Sequence, residues 1–149
     1  MLISKTKYVA GVQCLKRLYL LVHEPELAAQ PGEAEQAVID QEQEVGLLAQ
    51  KMFPGGVAVD CTGREAAVRA TRELIQNPAI PAIFEAAFED QNLFVRVDVL
   101  QRRRDQRWRL IEVKSTTDAK DHHLHDLAVQ HRVVTRSGVD LGLSCLAHE

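Results

Sequence analysis

Apolar residues recur every three or four positions over four stretches of the chain, the spacing that gathers them on one face of an α-helix. The predicted helices cover residues 4–22, 33–52, 62–76 and 118–136. Ser4 is expected to cap the first helix, and Thr62 with Glu65 three residues later matches a capping box for the third. The apolar face predicted for the second helix consists of Ala34, Val38, Val45, Ala49 and Met52. The apolar face predicted for the fourth consists of Leu124, Leu127, Ala128, His131 and Val134.

Residues typical of strands dominate after Pro81. The predicted strands cover residues 83–88, 93–100, 108–113 and 139–146, with a short earlier one at 57–59. Short polar turns separate the first three of the later strands, which predicts an antiparallel meander. The last strand follows a helix, and such a crossover allows it to pair in parallel with an earlier strand. The order of elements therefore predicts an α+β or mixed α/β fold.

The composition is that of an ordinary globular protein. The chain has 149 residues, enough for one domain with a sizeable core, and 46% of them are apolar. It contains neither an apolar run near the roughly 18 residues of a membrane span nor a signal peptide, so a cytoplasmic protein without a membrane partner is expected. The net charge is −3, but residues 1–23 hold four Lys or Arg and no acid. A nucleic-acid site would therefore be local, at this basic end and at residues 102–104, with an ordinary solvated surface as the alternative reading.

Asp98 is the unusual residue of the strand at 93–100. Val95, Val97 and Val99 are predicted to point to one face and Asp98 to the other, because side chains alternate along a strand. Asp is disfavoured in strands and is costly to bury without a partner. A metal ion is one partner that would compensate that cost.

Glu112 and Lys114 share a face of the next strand, about 7 Å apart along it. If the two strands pair, Asp98 and Glu112 can meet across them, although the register is not determined by the sequence. Two converging carboxylates are natural ligands of a hard divalent cation, and a lysine beside them can orient a water or stabilise charge on a phosphate. The alternative is an ordinary cross-strand network of charges that includes Arg96.

Longer stretches around these residues carry a family resemblance. The segments 95–100 (Val-Arg-Val-Asp-Val-Leu) and 110–115 (Leu-Ile-Glu-Val-Lys-Ser), followed by a helix that bears Gln130, resemble the RecB-like branch of the PD-(D/E)XK nucleases, which includes CRISPR-associated RecB-type exonucleases. Residues 4–20, 45–49 and 53–56 are similar to the N-terminal part of an uncharacterised bacterial family of RecB-like proteins.

The resemblance implies a restriction-endonuclease-like αβββαβ core with additional N-terminal helices. A single nuclease-like domain would consist of a helical extension at residues 1–32 and a core at 33–149. Members of the family are generally longer, which leaves open that this chain is part of a longer protein. The implied activity is hydrolysis of DNA, single- or double-stranded, and the oligomeric state is left open.

The resemblance also assigns roles to individual residues. Asp98 and Glu112 would bind Mg²⁺ or Mn²⁺ together with the Val113 carbonyl, Lys114 would position the attacking water, and Gln130 would support the site. The alternative function is a catalytically degenerate module that keeps the nuclease fold and binds nucleic acid or protein.

Several positions depart from the family pattern. Gly46 stands where relatives carry a metal-binding His; Glu42 or Glu44 could replace it, but solvated carboxylates are the favoured interpretation. An aromatic residue is usual four positions after the glutamine, and here that position is Val134. Cys14 resembles the first of four iron–sulfur ligands, but only Cys145 lies near the C-terminus, so this chain alone is not expected to hold a cluster. The His- and Asp-rich residues 121–126 are interpreted as a solvated helix start.

Overall fold

The computed structural model describes residues 2–116 and 120–148. Its helices are α1 (Lys5–Gln13), α2 (Leu15–His23), α3 (Glu33–Lys51), α4 (Arg64–Gln76) and α5 (Asp121–Arg136), with a short 3-10 turn at Pro25–Leu27. Its strands are β1 (Ile3–Ser4), β2 (Val57–Ala58), β3 (Ala82–Asp90), β4 (Leu93–Arg102), β5 (Trp108–Lys114) and β6 (Leu141–His148). The predicted α+β class is confirmed, and the order from α4 onward is α, β, β, β, α, β.

One mixed sheet organises the molecule. Its strand order is β2-β3-β4-β5-β6, and β1 pairs with the start of β4. The three central strands form the predicted antiparallel meander, and β6 lies parallel to β5 after the α5 crossover. The short pairing of β1 with β4 matters for the site, because it places Lys5, the first residue of α1, against the middle of the sheet.

The larger part of the core lies between one face of the sheet and helices α4 and α5. Val95, Val97 and Leu100 of β4 belong to this cluster, whereas Val99 packs with Phe84 in a smaller one that also includes Ile111 and Ala82. The predicted common face of Val95, Val97 and Val99 is therefore wrong at Val99. Glu85 opposite this point has a φ of 54°, between the pairs Phe84–Val99 and Ala86–Val97. At this irregularity the regular alternation of side chains is interrupted, as it is at a local break in strand geometry. Val99 therefore faces the opposite side of the sheet from Val95 and Val97.

The N-terminal region contains two helices where one was predicted. The Ser4 hydroxyl caps α1 as expected, accepting a hydrogen bond from the Lys7 amide at 3.4 Å. The helix then ends at Gln13, because Cys14 is extended, with φ −161° and ψ 115°. The predicted capping box is also wrong: Gly63, with φ 99°, precedes α4 in place of Thr62.

The predicted buried faces of two helices are corrected. Every residue of α3 is exposed or half-buried, and Val38 and Met52 of the expected face are 53% and 76% exposed. On α5, whose predicted start at Asp118 lies outside the described residues, the buried residues are His123, Asp126, Val129, Gln130, Val133 and Val134. Leu124 is 56% exposed, so a partly polar face turns inward. Within the part of the chain that the structure describes, no helix has the length and apolar character needed to cross a membrane.

Candidate functional site

An open cleft of about 1140 Å³ lies between the sheet and the helices α1, α3 and α5. The charged side chains that line its sheet side are Glu85, Asp98, Glu112 and Lys114. Lys5 reaches the same space from α1, and Asp126 reaches it from α5. These six side chains come from five different elements, α1, β3, β4, β5 and α5.

Glu112 is the centre of this arrangement. It is fully buried in β5 and accepts hydrogen bonds at both carboxylate oxygens. Lys114 Nζ lies 2.7 Å from Oε1, and Gln130 Nε2 donates to Oε2 at 2.6 Å. Lys5 Nζ lies 3.0 Å from Oε1 and 3.2 Å from Oε2. The predicted neighbours Lys114 and Gln130 therefore meet at Glu112, as side chains two apart on one strand and a helix above it can.

Asp98 lies beside this cluster on β4. Pairing of β4 with β5 ends at Val99 and Ile111, and the Asp98 carboxylate accepts a hydrogen bond from the Val113 amide at 2.7 Å. The side chain thus satisfies a backbone donor just beyond the last paired residues. This contact holds Asp98 next to Glu112, so the structure brings the two predicted carboxylates to one place.

Three further residues of the site were missed in the sequence. Asp126 was assigned to a solvated helix start, but it is buried, and its Oδ2 lies 2.9 Å from Lys114 Nζ. His123 of the same segment is also buried, so the solvated interpretation is wrong for both. Asp126 stands four residues before Gln130, the spacing of one helix face, and this was the available signal. Lys5 had no such signal, because only the pairing of β1 with β4 brings it to the cleft. Glu85 is a carboxylate within the apolar run 83–88, the same signal that marked Asp98.

Burial and mutual repulsion shift the titration of these acids. Burial, with Glu112 as a further cause, raises the pKa of Asp98 to about 7. Burial also raises the pKa of Glu112, but Lys5 and Lys114 outweigh it and lower that pKa to about 2. The pKa values of Glu85 and Asp126 are raised chiefly by burial. The lysines therefore compensate Glu112 well and Asp98 poorly.

A divalent cation fits the chemistry of these donors. Carboxylate oxygens are the ligands that Mg²⁺ and Mn²⁺ prefer, and the raised pKa of Asp98 marks negative charge that lacks a full counter-charge. Among the described residues, Asp126 Oδ1 and Gln130 Oε1 are buried without a hydrogen-bond partner. In the arrangement described, however, no three His, Cys, Asp or Glu side chains of residues 2–116 and 120–148 are placed to hold one ion together. Ammonium groups surround Glu112 instead.

The structure locates the residues at which the sequence departs from the family pattern. Gly46 and the exposed Glu42 both line the cleft from α3. Val134 is buried in the core cluster under the sheet. Cys14 and Cys145 are free thiols, as is Cys61.

Within the basic segment at 102–104, Arg102 contributes to the fold. The Arg102 guanidinium lies 4.2 Å from the centre of the Trp108 ring and donates to the carbonyls of Ile75, Asn77 and Ile80. Besides the two lysines, the basic side chains of Arg17 from α2 and His122 from α5 line the cleft. Neither a protein-family model nor a curated protein matches this chain.

Proposed function

We propose that this chain is a metal-dependent nuclease of the PD-(D/E)XK type, related to the RecB-like branch, that hydrolyses DNA phosphodiester bonds. The observation that carries the proposal is the meeting of Asp98, Glu112 and Lys114 at one cleft, with Gln130 bonded to Glu112. The α, β, β, β, α, β order around that cleft agrees with the restriction-endonuclease-like core that the resemblance implies.

Asp98 and Glu112, with the Val113 carbonyl, are the residues that would hold Mg²⁺ or Mn²⁺. When bound, such an ion polarises a phosphate and lowers the pKa of a water molecule. Gln130 keeps the Glu112 carboxylate in place through its 2.6 Å hydrogen bond, and the same amide also donates to the Asp126 carbonyl at 3.2 Å. Two acceptors for one buried amide restrict its rotation, which preorganises the carboxylate.

Lys114 is the group placed to act on the substrate. Glu112 and Asp126 hold its ammonium at 2.7 and 2.9 Å, and although burial lowers its pKa, these carboxylates raise it above the ordinary value. Lys114 is therefore a fixed cation that can orient a water molecule by donating a hydrogen bond and can stabilise the negative charge that develops on a phosphate. It is not a proton acceptor near neutral pH.

A cleavage assay tests the proposal. End-labelled single- and double-stranded DNA would be incubated with the protein in Mg²⁺, in Mn²⁺ and in EDTA. We expect cleavage only with metal, and a rate at least about 100-fold lower for Lys114→Ala. Lys51→Ala removes an equal charge from the exposed end of α3 and is the matched control, with a rate like that of the wild type. A folded wild-type protein that cleaves neither DNA with either metal would contradict the proposal.

The second candidate is a degenerate nuclease-fold module that binds nucleic acid or protein. The donors around Glu112 favour it, since two lysines and one glutamine already satisfy this carboxylate, and Gly46 supplies no ligand from α3. This candidate predicts that Mn²⁺ leaves the melting temperature unchanged in the wild type and in Asp98→Ala alike. A Mn²⁺-induced rise that Asp98→Ala abolishes would decide for the nuclease.

A further inference from the structure

Lys5 occupies the position of a cation between carboxylates from different elements. Its Nζ donates to both oxygens of Glu112, at 3.0 and 3.2 Å, and lies 3.7 Å from Asp126 Oδ1. Burial lowers the pKa of Lys5, but Glu112, Asp126 and Asp98 outweigh it and raise that pKa. The ammonium is therefore charged at neutral pH, and its nearest charges are carboxylates.

Glu112 can accept a new ligand only if one of its present donors leaves. Gln130 is fully buried and is also bonded to the Asp126 carbonyl. The Lys114 side chain is 15% exposed and is held by Asp126 at 2.9 Å as well as by Glu112. The Lys5 side chain is the most exposed of the three, at 21%, and its second carboxylate contact is the longer one, at 3.7 Å.

The stem of Lys5 also has a path to move along. Lys5 is the first residue of α1 and lines the cleft together with Thr6 and Val9. A lysine ammonium sits on a flexible chain of four carbons, so it can withdraw into the open cleft without any change in the backbone. Gln130 lacks comparable room because it is fully buried, and Lys114 is held by a second, short hydrogen bond to Asp126.

We propose that Lys5 is a built-in competitor of the divalent cation. Its ammonium holds Glu112 and Asp126 in the metal-free protein, and a metal ion that binds Glu112 and Asp98 displaces it into the cleft. This inference rests on the proposed function, since it concerns the same carboxylates.

The proposed competition between Lys5 and the metal ion should have a measurable effect on metal affinity. A hydrogen bond between charged groups must be broken before the metal binds, so neutralising Lys5 should tighten metal binding by about tenfold to a hundredfold. The same substitution removes one of the two ammonium groups that compensate the carboxylates when metal is absent. Lys5→Met should therefore melt at a lower temperature than the wild type in EDTA, and the difference should shrink as Mn²⁺ saturates the site.

The experiment measures Mn²⁺ binding by titration, with free Mn²⁺ detected by electron paramagnetic resonance, and records thermal melting in EDTA and in Mn²⁺. The variants are Lys5→Met, with Lys5→Gln as a second neutral replacement in case the first does not fold, and Lys7→Met as the matched control. Lys7→Met removes the same charge from the same helix turn. The hydrogen bond from Lys7 to Ser4 is made by its backbone amide, so this substitution keeps it.

We expect tighter Mn²⁺ binding and a metal-dependent recovery of stability in both Lys5 variants, with less than about threefold change in Lys7→Met. If the wild type binds Mn²⁺ and the affinities of Lys5→Met and Lys5→Gln equal that of Lys7→Met, the role of Lys5 is overturned. The nuclease proposal would then still stand. Folded proteins that bind no Mn²⁺ at all, the wild type and both Lys5 variants alike, would overturn the metal-dependent nuclease and this inference with it.

Discussion

Asp98→Asn is expected to stabilise the metal-free protein while it removes metal binding. The Asp98 carboxylate is half-buried beside Glu112, and both burial and that neighbour raise its pKa from an ordinary 3.8 to about 7. Asparagine has the same shape, carries no charge and can still accept the hydrogen bond from the Val113 amide. The substitution therefore removes the cost of a poorly compensated charge and keeps the contact that orders β5.

The size of the effect follows from proton linkage. A change of about 3 in pKa, at about 1.4 kcal/mol for each pH unit, gives an upper limit of about 4 kcal/mol. Because the cleft is open to solvent, screening should reduce the realised gain to about 1–3 kcal/mol. For a chain of this length that corresponds to a rise in melting temperature of about 3–10 °C.

The raised pKa of Asp98 also determines the direction in which stability changes with pH. Native Asp98 binds its proton more tightly than unfolded Asp98 does, so the wild type loses stability through this group as pH rises from about 4 through about 7. The asparagine that replaces it does not titrate. The advantage of the variant over the wild type should therefore be small near pH 4, grow across this window and be constant above it.

Thermal unfolding followed by circular dichroism in EDTA, at pH 5 and pH 8, measures this difference. Asp60→Asn, at an exposed position outside the cleft, is the matched control and should melt like the wild type at both pH values. The reasoning is refuted if Asp98→Asn melts below the wild type at pH 8, or if the difference between them is the same at both pH values.

Two further substitutions test the packing around the site. Gln130→Leu removes a donor to buried Glu112 and should cost about 1–3 kcal/mol in urea unfolding; an unchanged midpoint would show that Glu112 does not depend on that bond. Leu110→Ala, at a fully buried position, should cost about 2–5 kcal/mol, whereas Leu124→Ala on the exposed side of α5 should stay within about 0.5 kcal/mol. Equal losses for the two leucines would contradict the orientation of α5.

The types and order of the elements from residue 33 onward could be predicted from the sequence because the signals are local. Hydrophobic spacing over residues 33–52 and 93–100 depends on the geometry of a single helix or strand, and the corresponding elements are α3 and β4. Asp98 and Glu112 could be singled out for the same reason, since a carboxylate within an apolar strand is unusual wherever that strand lies. The meander followed from the short turns between its strands.

Only the tertiary structure decided which side chains share the cleft. Lys5 reaches Glu112, 107 residues away, because β1 pairs with β4, and Glu85 and Asp126 arrive from β3 and α5. The buried face of α5 is partly polar because it packs against these charges, whereas the sequence predicted an apolar stripe with Leu124 on it. The residue pattern of one element specifies which of its faces is apolar. The register between strands depends on many contacts between distant residues, and it determines which side chains each face packs against.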